Sequence, residues 1–597
     1  MKKKATPVNY TSRDFDSIKK DLVSYVKRYY PDTYKDFNQL SFGSMMLDLV
    51  SYLGDNLSFY LDYNANESFL ATSLEYDNVL MHAKQMGYKY DPNRSSVGEV
   101  DIYMPVPAQS QNVAPDLNYL PRLLKGTTFI NSAGIPFTLI ENVKFNSDNS
   151  EVIGSEVSSD GAKTTYYIVK SRGKVISGRE KQIIAEVGDF QRFLKLEVAG
   201  EAITEIVSVV DTAGNEYFEV DNLSQDLVYR AITRPGTGDA NAPSLMRAYP
   251  TPRRFVVERE GDKTYLVFGY GSEKDISNDK IADPASVALD MTGKNYVSRP
   301  TFDPERMISS DKFGVSPVNT DLTITYRYNT RDNVNVAAGS LTSIGFLQLA
   351  FDNEQSLDSS KIQYIRNNIE VYNENPIVGD ISVPTTEEIK KRAMAQFAMQ
   401  SRAVTAQDYV SATYSMPSNF GSVKRASVQR DNDDFRRNIN LFIISEDETG
   451  ALTKSSDTLK ENLRTWLNSV KMMSDSVDIL DASIINLGIE FEVVGLPDMN
   501  KGTIYNEIRQ KLFDEFTSIP PDIGQSFYIT DIFKFLKEID GVLDVVDIKL
   551  VNKVGDNYSS YSFSVDGNLS SNGRVLNIPS ASIWELKYIT DIVGNIR

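Results

Sequence analysis

Cysteine is absent from the 597 residues. That excludes disulfides, thiolate catalysis and every zinc site that uses Cys. A chain of this size without disulfides is held together by packing and by partners. Histidine occurs once, as His82. A Ser-His-Asp arrangement would have to use it, and a two-His metal site is impossible. In its helical surroundings His82 reads as a packed or exposed helix residue. No apolar run approaches the roughly 18 residues needed to cross a bilayer. Behind the basic start Met1-Lys2-Lys3-Lys4, residues Ala5 to Ser12 supply no apolar core, so secretion through a signal peptide is not expected. Positive charge is also short: 63 Lys and Arg stand against 81 Asp and Glu, a net charge of −18. Spread over the roughly 21,000 Å² of a compact monomer of this mass, that is a mild field. It favours solubility and argues against a nucleic-acid role, which needs a concentrated basic face.

What is present is globular. Hydrophobic residues make up 41% and charged residues 24%, far from the disordered or membrane classes. The length suggests three to five domains. Tyrosine is plentiful, with 32 residues against two tryptophans. Half-buried sheet surface and protein–protein interface both use Tyr in this way.

The first ninety residues read as helices. Phe15, Ile18, Leu22, Tyr25, Val26 and Tyr29 form one apolar stripe. Thr11 with Asp14 makes a capping-box pattern, Tyr10 with Phe15 a hydrophobic staple, and Pro31 ends the helix. A second helix is expected over 41–63, with Phe42, Met46, Leu49, Leu53, Leu57 and Tyr60 along one face. Their spacing of 4, 3, 4, 4, 3 is close to the seam of a helical bundle. Such a stripe packs either on its own neighbours or in a bundle shared between chains; three helices in ninety residues make a thin core alone. A third helix, from Ser73, carries Tyr76, Val79, Leu80, Ala83 and Met86 and stops at Gly87.

From about 97 the period becomes two. Val100, Ile102 and Met104 alternate with Glu99, Asp101 and Tyr103, and Pro105 and Pro107 are expected to close the strand. Further strands are expected at 127–130, 166–169, 193–198, 203–210, 217–220, 264–268 and 322–328. The middle region is β-rich, with an insertion expected between flanking pieces of one domain. After about 380, helices and strands alternate. Thr385 with Glu388 opens a helix through Gln400. In Arg402-Ala403-Val404-Thr405-Ala406-Gln407-Asp408-Tyr409, Thr405 caps, Asp408 takes the third helical position, and Val404 and Tyr409 are spaced as a staple. Strands at 423–428, 441–444, 484–494 and 542–550 and helices at 457–470, 503–516 and 529–539 complete two small sandwiches of helix on sheet. No internal repeat stands out.

Motifs that could carry chemistry are weak. Asp431-Asn432-Asp433-Asp434 resembles the start of a calcium loop, but Arg436 and Phe442 stand where Gly and Glu are needed, so a hairpin turn is expected. Phe268-Gly269-Tyr270-Gly271 has neither a third Gly nor a following Gly-Lys-Ser/Thr, so it is a turn rather than a phosphate cradle. No spacing singles out a pair of carboxylates as a glycosidase would need.

Three stretches resemble one known family. The first is Glu67-Ser68-Phe69-Leu70, then Asn78-Val79-Leu80, Gly87-Tyr88, and a β-segment with Leu124-Lys125-Gly126-Thr127-Thr128-Phe129. The second runs from Thr385-Thr386-Glu387-Glu388 to the Arg402, Val404, Thr405, Asp408, Tyr409 element, which is the most specific. The third is Gly524-Gln525-Ser526-Phe527-Tyr528-Ile529-Thr530-Asp531-Ile532 followed by Gly541-Val542-Leu543. In this order they resemble baseplate wedge proteins of contractile-tailed bacteriophages, the baseplate J-like group. The stretch 140–345 does not align by eye.

The resemblance implies a structural, non-enzymatic virion subunit without cofactors, assembled in the host cytoplasm. It implies a ring around a central hub, copies paired through N- and C-terminal contacts, and other wedge proteins and the sheath-initiating subunit as partners. It further implies a rearrangement that triggers sheath contraction. Neither nucleic acid nor membrane insertion is expected. The stripe from Phe42 to Tyr60 is expected in the shared N-terminal bundle, whereas Arg402, Val404, Thr405, Asp408, Tyr409, Gly524, Phe527, Asp531, Gly541 and Val542 read as structural signature positions. The fold class is therefore α+β and multidomain. The expected units are a helical N-terminal region (1–92), a β-rich middle (93–345), an α+β domain (346–480) and an α+β C-terminal dimerisation domain (481–597). A receptor-binding or adhesin-like tail component is the competing reading, and a wall-degrading tail enzyme a third.

Overall fold

The computed structural model describes residues 14–33, 41–109, 114–145, 150–157, 164–225, 227–233, 244–261, 263–272, 313–331, 333–430, 438–517, 520–555 and 557–597. Three helices come first: α1 (Phe15–Tyr29), α2 (Phe42–Glu67) and α3 (Tyr76–Gln85). Asp14, expected at the third helical position, is itself the N-cap of α1. It accepts from the Ser17 N–H, and Ser17 closes the capping box; the expected cap Thr11 and staple residue Tyr10 lie outside the described residues. Ser41 caps α2, whose end lies beyond the expected 63.

A seven-stranded sheet follows. Its order is Leu341–Phe346, Thr128–Asn131, Pro136–Leu139, Thr164–Ser177, Val97–Pro107 and Glu370–Tyr372, with Glu151–Val157 also paired to Thr164–Ser177. Val97–Pro107 runs antiparallel to Thr164–Ser177 from Val97↔Ile176 to Pro107↔Tyr166. Pro107 closes this strand as expected, whereas Pro105 lies inside it. Its ladder to Glu370–Tyr372 spans only Asp101 to Tyr103, so the prolines sit where one edge has no ladder to lose. The expected alternation also fails at Asp101, which is buried. Lys170 and Arg172 reach its two carboxylate oxygens at 3.3 and 3.0 Å and share Glu374, so the polar face is covered by its own ion pairs. Below lie Ile102, Met104, Phe129, Phe137 and Leu139, with Ile362 and Ile365 from helix Ser359–Asn367.

A second seven-stranded sheet is inserted between Thr164–Ser177 and Leu341–Phe346. Its order is Arg179–Val187, Thr320–Tyr328, Ile203–Asp211, Glu216–Glu219, Arg254–Glu260, Lys263–Phe268, Lys195–Val198. The chain enters and leaves it at one point. A Cβ on Gly178 would lie 2.7 Å from the Tyr328 carbonyl oxygen, and the Ser177 hydroxyl donates to Asn329 Oδ1 at 3.1 Å.

The C-terminal third forms two layers of helix on sheet. In the first, Arg425–Arg430 and Asn438–Glu446 make an antiparallel hairpin, and Ser476–Asp481 adds in parallel. The turn expected at 431–434 lies outside the described residues. Helices Ala406–Tyr414 and Asp457–Val470 cover it through Tyr409, Ala412, Leu459, Leu463 and Leu467. In the second layer, Ser483–Gly495 pairs with Val542–Lys553 on one side and with Ser582–Glu585 and Ile592–Ile596 on the other. Helices Lys501–Thr517 and Ile529–Lys537 bury Ile504, Ile508, Leu512, Ile532 and Leu536 against it. The fold is thus α+β: N-terminal helices, a β-rich middle and a mixed C-terminal region.

Candidate functional site

The amphipathicity of α2 is inverted. A helix normally turns its apolar stripe to the core and its polar side to water. In α2 the small and polar side meets its neighbour: Ser44 and Ser51 are buried, and Leu47, Asp48, Gly54, Asp55, Ser58 and Asp62 are half-buried. Against it lies α1, with half-buried Phe15, Ile18, Leu22 and Val26. At Gly54 a Cβ would be 3.3 Å from Ile18 Cδ1, and Lys19 pairs with Asp48 at 2.5 Å. α1 buries no residue fully. Among the described residues no element other than α1 packs extensively on α2.

The apolar side is left in solvent. The stripe read from sequence is exposed at every position: Phe42, Met46, Leu49, Leu53, Leu57 and Tyr60 range from 46% to 71%. Sequence reading missed a second row, Met45, Tyr52 and Phe59, which is equally exposed. The signal was there as a seven-residue recurrence. Residues 45–65 read Met-Met-Leu-Asp-Leu-Val-Ser, Tyr-Leu-Gly-Asp-Asn-Leu-Ser, Phe-Tyr-Leu-Asp-Tyr-Asn-Ala. Asp recurs at 48, 55 and 62, and Ser, Ser, Ala at 51, 58 and 65, on the α1 side. The opposite side has a central row of Phe42, Leu49, Asn56 and Tyr63, flanked by Met46, Leu53, Tyr60 and by Met45, Tyr52, Phe59. Two rows suffice to face one partner helix; three adjacent rows are wide enough for two. With 26 residues, α2 offers this face over about 39 Å. No described helix is long and apolar enough to cross a membrane.

The far end of α2 is anchored. Glu67 is buried and accepts from the Leu74 N–H at 2.7 Å, the Glu75 N–H at 3.4 Å and the Asn78 amide at 2.9 Å. Burial works to raise its carboxyl, but these donors outweigh it and hold Glu67 below its ordinary value. His82 contacts the Glu67 carbonyl at 2.8 Å, which gives the single histidine a structural place. Val79 and Ala83 of α3 then pack on Ile389 and Ala393 of helix Thr386–Met399. From that helix Glu388 pairs with Arg425, which also donates to the Pro520 and Pro521 carbonyls at 2.7 and 3.2 Å.

The signature residues lie apart from this surface and from one another. Thr405 caps helix Ala406–Tyr414, and the Asp408 carboxylate accepts from the Thr405 and Val404 N–H groups at 2.8 and 3.1 Å. Burial raises Asp408, yet those bonds prevail and its carboxyl is held low. Tyr409 is fully buried and donates to Asp475 at 2.7 Å, while Val404 and Arg402 face solvent. Phe527 stacks edge-on against Trp584 at 4.7 Å. Asp531 opens helix Ile529–Lys537, and half-buried Val542 packs on the C-terminal core. Gly524 and Gly541 adopt φ of +79° and +95°, the left-handed region where a side chain is strained. These positions shape turns, caps and cores, and they form no shared cleft.

Residues 14–85 match the family model described as bacteriophage baseplate protein, N-terminal domain. The match covers α1, α2 and α3 together. No curated protein matches the chain by sequence. Among solved structures, a chain of the six-fold symmetrised cryo-EM structure of the anti-feeding prophage baseplate aligns with 95% of this chain and 90% of its own length, at 11% identity and a TM-score of 0.26. That likeness is too slight to bear on fold or role. The N-terminal segment of the chain, with its solvent-facing apolar helix, is thus similar to the N-terminal domain of bacteriophage baseplate proteins.

Proposed function

We propose that this chain is a structural, non-enzymatic wedge subunit of a contractile phage-like baseplate, and that α2 is the element by which it joins its neighbours. The observation that carries this reading is the exposed three-row face of α2. A soluble monomer rarely leaves so large a contiguous apolar surface in water, and such a surface marks an interaction site. The baseplate N-terminal domain match over the same helices supports the tail as its setting. In this role the chain sits in a ring around the central hub, assembled in the host cytoplasm and retained in the virion. Its partners are further copies of itself, other wedge proteins and the sheath-initiating subunit, and ring rearrangement releases sheath contraction. A permanent interface of this kind buries about 2,000 Å² or more. The chain from α2 through Glu67, α3 and helix Thr386–Met399 to Arg425 ties the contact surface to the C-terminal layers.

The test is the double substitution Leu49→Asp with Leu53→Asp. Both side chains already face water, so the fold is expected to survive with an unchanged circular dichroism spectrum and melting curve. Co-assembly with the other baseplate proteins of the same tail, read by light scattering, is expected to be lost. Normal assembly by a folded double mutant overturns the reading.

A further inference from the structure

The second sheet has a core of its own. Its buried apolar residues, among them Val209, Tyr217, Phe255, Leu266, Phe268 and Leu322, share no cluster with α3, the first sheet or the C-terminal layers. It meets the rest of the body at the two chain crossings beside Gly178 and Asn329, and through ion pairs and hydrogen bonds. Lys89 pairs with Asp221 at 2.5 Å, Lys84 with Glu258 at 3.4 Å, and Arg259 with Asp91. The Ser418 hydroxyl donates to the Thr204 carbonyl at 3.2 Å, and the Asn419 amide to Glu205 at 3.4 Å. We propose that the second sheet is a releasable arm. Docked by these contacts on the end of α3 and the segment behind it, it braces α3; released, it swings away as one rigid body.

Three features make the contact reversible. The side chains of Lys84, Lys89 and Asp221 are more than half exposed, so their pairs are weak and salt screens them. Of the three pairs only Arg259 with Asp91 is largely enclosed. Second, each side keeps partners of its own after release. From within the sheet Lys195 already reaches Glu260 at 2.6 Å and Glu258 at 3.7 Å. Arg259 donates to the Thr204 carbonyl at 3.0 Å, and Asp91 accepts from the Asn93 N–H at 3.3 Å. Release therefore strands no buried charge, the cost that makes an enclosed pair hard to break. Third, the crossings permit a swing. A polar contact between domains leaves relative motion as the default, and hinges are a few residues at the ends of elements. Gly178, with φ +98°, stands between Thr164–Ser177 and Arg179–Val187. The brace follows from Lys84, which lies in the last turn of α3, the helix whose Asn78 holds Glu67 of α2.

The absence of cysteine allows a clean test in the full chain. Spin labels on Ala213→Cys, in the turn after Ile203–Asp211, and on Lys391→Cys, in helix Thr386–Met399, report the distance from arm to body; both positions are exposed. One narrow distance is expected by double electron–electron resonance at about 0.1 M salt. A second, longer one is expected at about 1 M, where charges are screened beyond about 3 Å. Lys84→Glu with Lys89→Glu is expected to move the docked-to-released ratio roughly tenfold toward release at low salt. Adding Asp221→Lys should recover part of that shift. Amide exchange within Ile203–Asp211 is expected to stay slow throughout, while exchange at 82–86 quickens on release. A distance unchanged by salt and by charge reversal overturns the arm. Fast exchange within Ile203–Asp211 overturns the rigid swing, because the sheet has then unfolded. A longer distance with 82–86 still protected overturns the brace. If the charge-reversed chain does not fold, the salt series on the labelled parent decides alone.

Discussion

Single side chains in this protein show most clearly where burial and ionisation conflict. Glu585 is largely enclosed where the two C-terminal layers meet. Its carboxylate accepts from the Leu452 N–H at 2.6 Å and the Asn486 amide at 2.9 Å. Burial dominates over those bonds and pushes its carboxyl up to about 7 from an ordinary 4.5. A carboxyl raised on folding lends stability that is fully present below the unfolded value and is lost as pH climbs through the folded one. Glu585→Gln, which keeps the neutral shape, is therefore expected to melt above the parent at pH 8. The gap should shrink on acidification and vanish below about pH 4.5. A gap constant from pH 8 to pH 5 in thermal unfolding curves would contradict this assignment.

Among the elements, α1 and α2 depend on each other at a single close approach. Gly54 lets Ile18 sit against the α2 backbone. Gly54→Leu is expected to drive the helices apart at an overpacking cost of about 1–3 kcal/mol. α1, with 15 residues, is too short to hold alone in water, so amide exchange over 15–29 should become fast while the sheets stay protected. Elements of this kind were largely legible in the sequence. The capping boxes at Thr385 and Thr405 and the helix at 457–470 follow from local periodicity and side-chain chemistry, and the structure has them. The misses have physical causes. Asp14 competes with Thr11 as a cap, and only the fold decides between two capping residues three positions apart. Asp101 is buried by cations on the neighbouring strand, which no pattern within 97–107 reveals. Sheet order depends on pairings between residues as far apart as Asp101 and Tyr372. For α2 the stripe was visible, but whether anything covers it is not a property of its sequence. Reading one row at 3–4 spacing also hid the heptad that carries Met45, Tyr52, Phe59 and Asn56.

Taken as a whole, the molecule separates the surface that is proposed to bind from the body that folds. The cores of the two large sheets and the two C-terminal layers are built without any residue of α1 or α2. A chain that begins at Glu67 retains α3 and its packing on Ile389 and Ala393. It is expected to lose the association with other baseplate proteins that α2 carries, read by light scattering, whatever pairing its C-terminal domain retains. Its main calorimetric transition should move by less than about 2 °C, below the shift that 1 kcal/mol brings to a domain of 150–250 residues. A larger loss would mean that the hairpin of α1 and α2 supports the body.

The second sheet has a further consequence through the way the chain reaches it. Gly178 and Tyr328 touch, and Ser177 is bonded to Asn329, so the chain enters and leaves the second sheet at one doorway, while Arg259 to Asp91, Lys89 to Asp221 and Ser418 to the Thr204 carbonyl tie its near side to the rest of the body. It is a cassette. Exchanging its contents needs a splice at one spot, and the strands of the first sheet keep their ladders, but the pairs to Asp91, Lys89 and Ser418 have to be kept or replaced. A lineage of such proteins is free to redecorate this module away from the side that meets Asp91, Lys89 and Ser418, while the parts proposed to hold the assembly together stay unchanged.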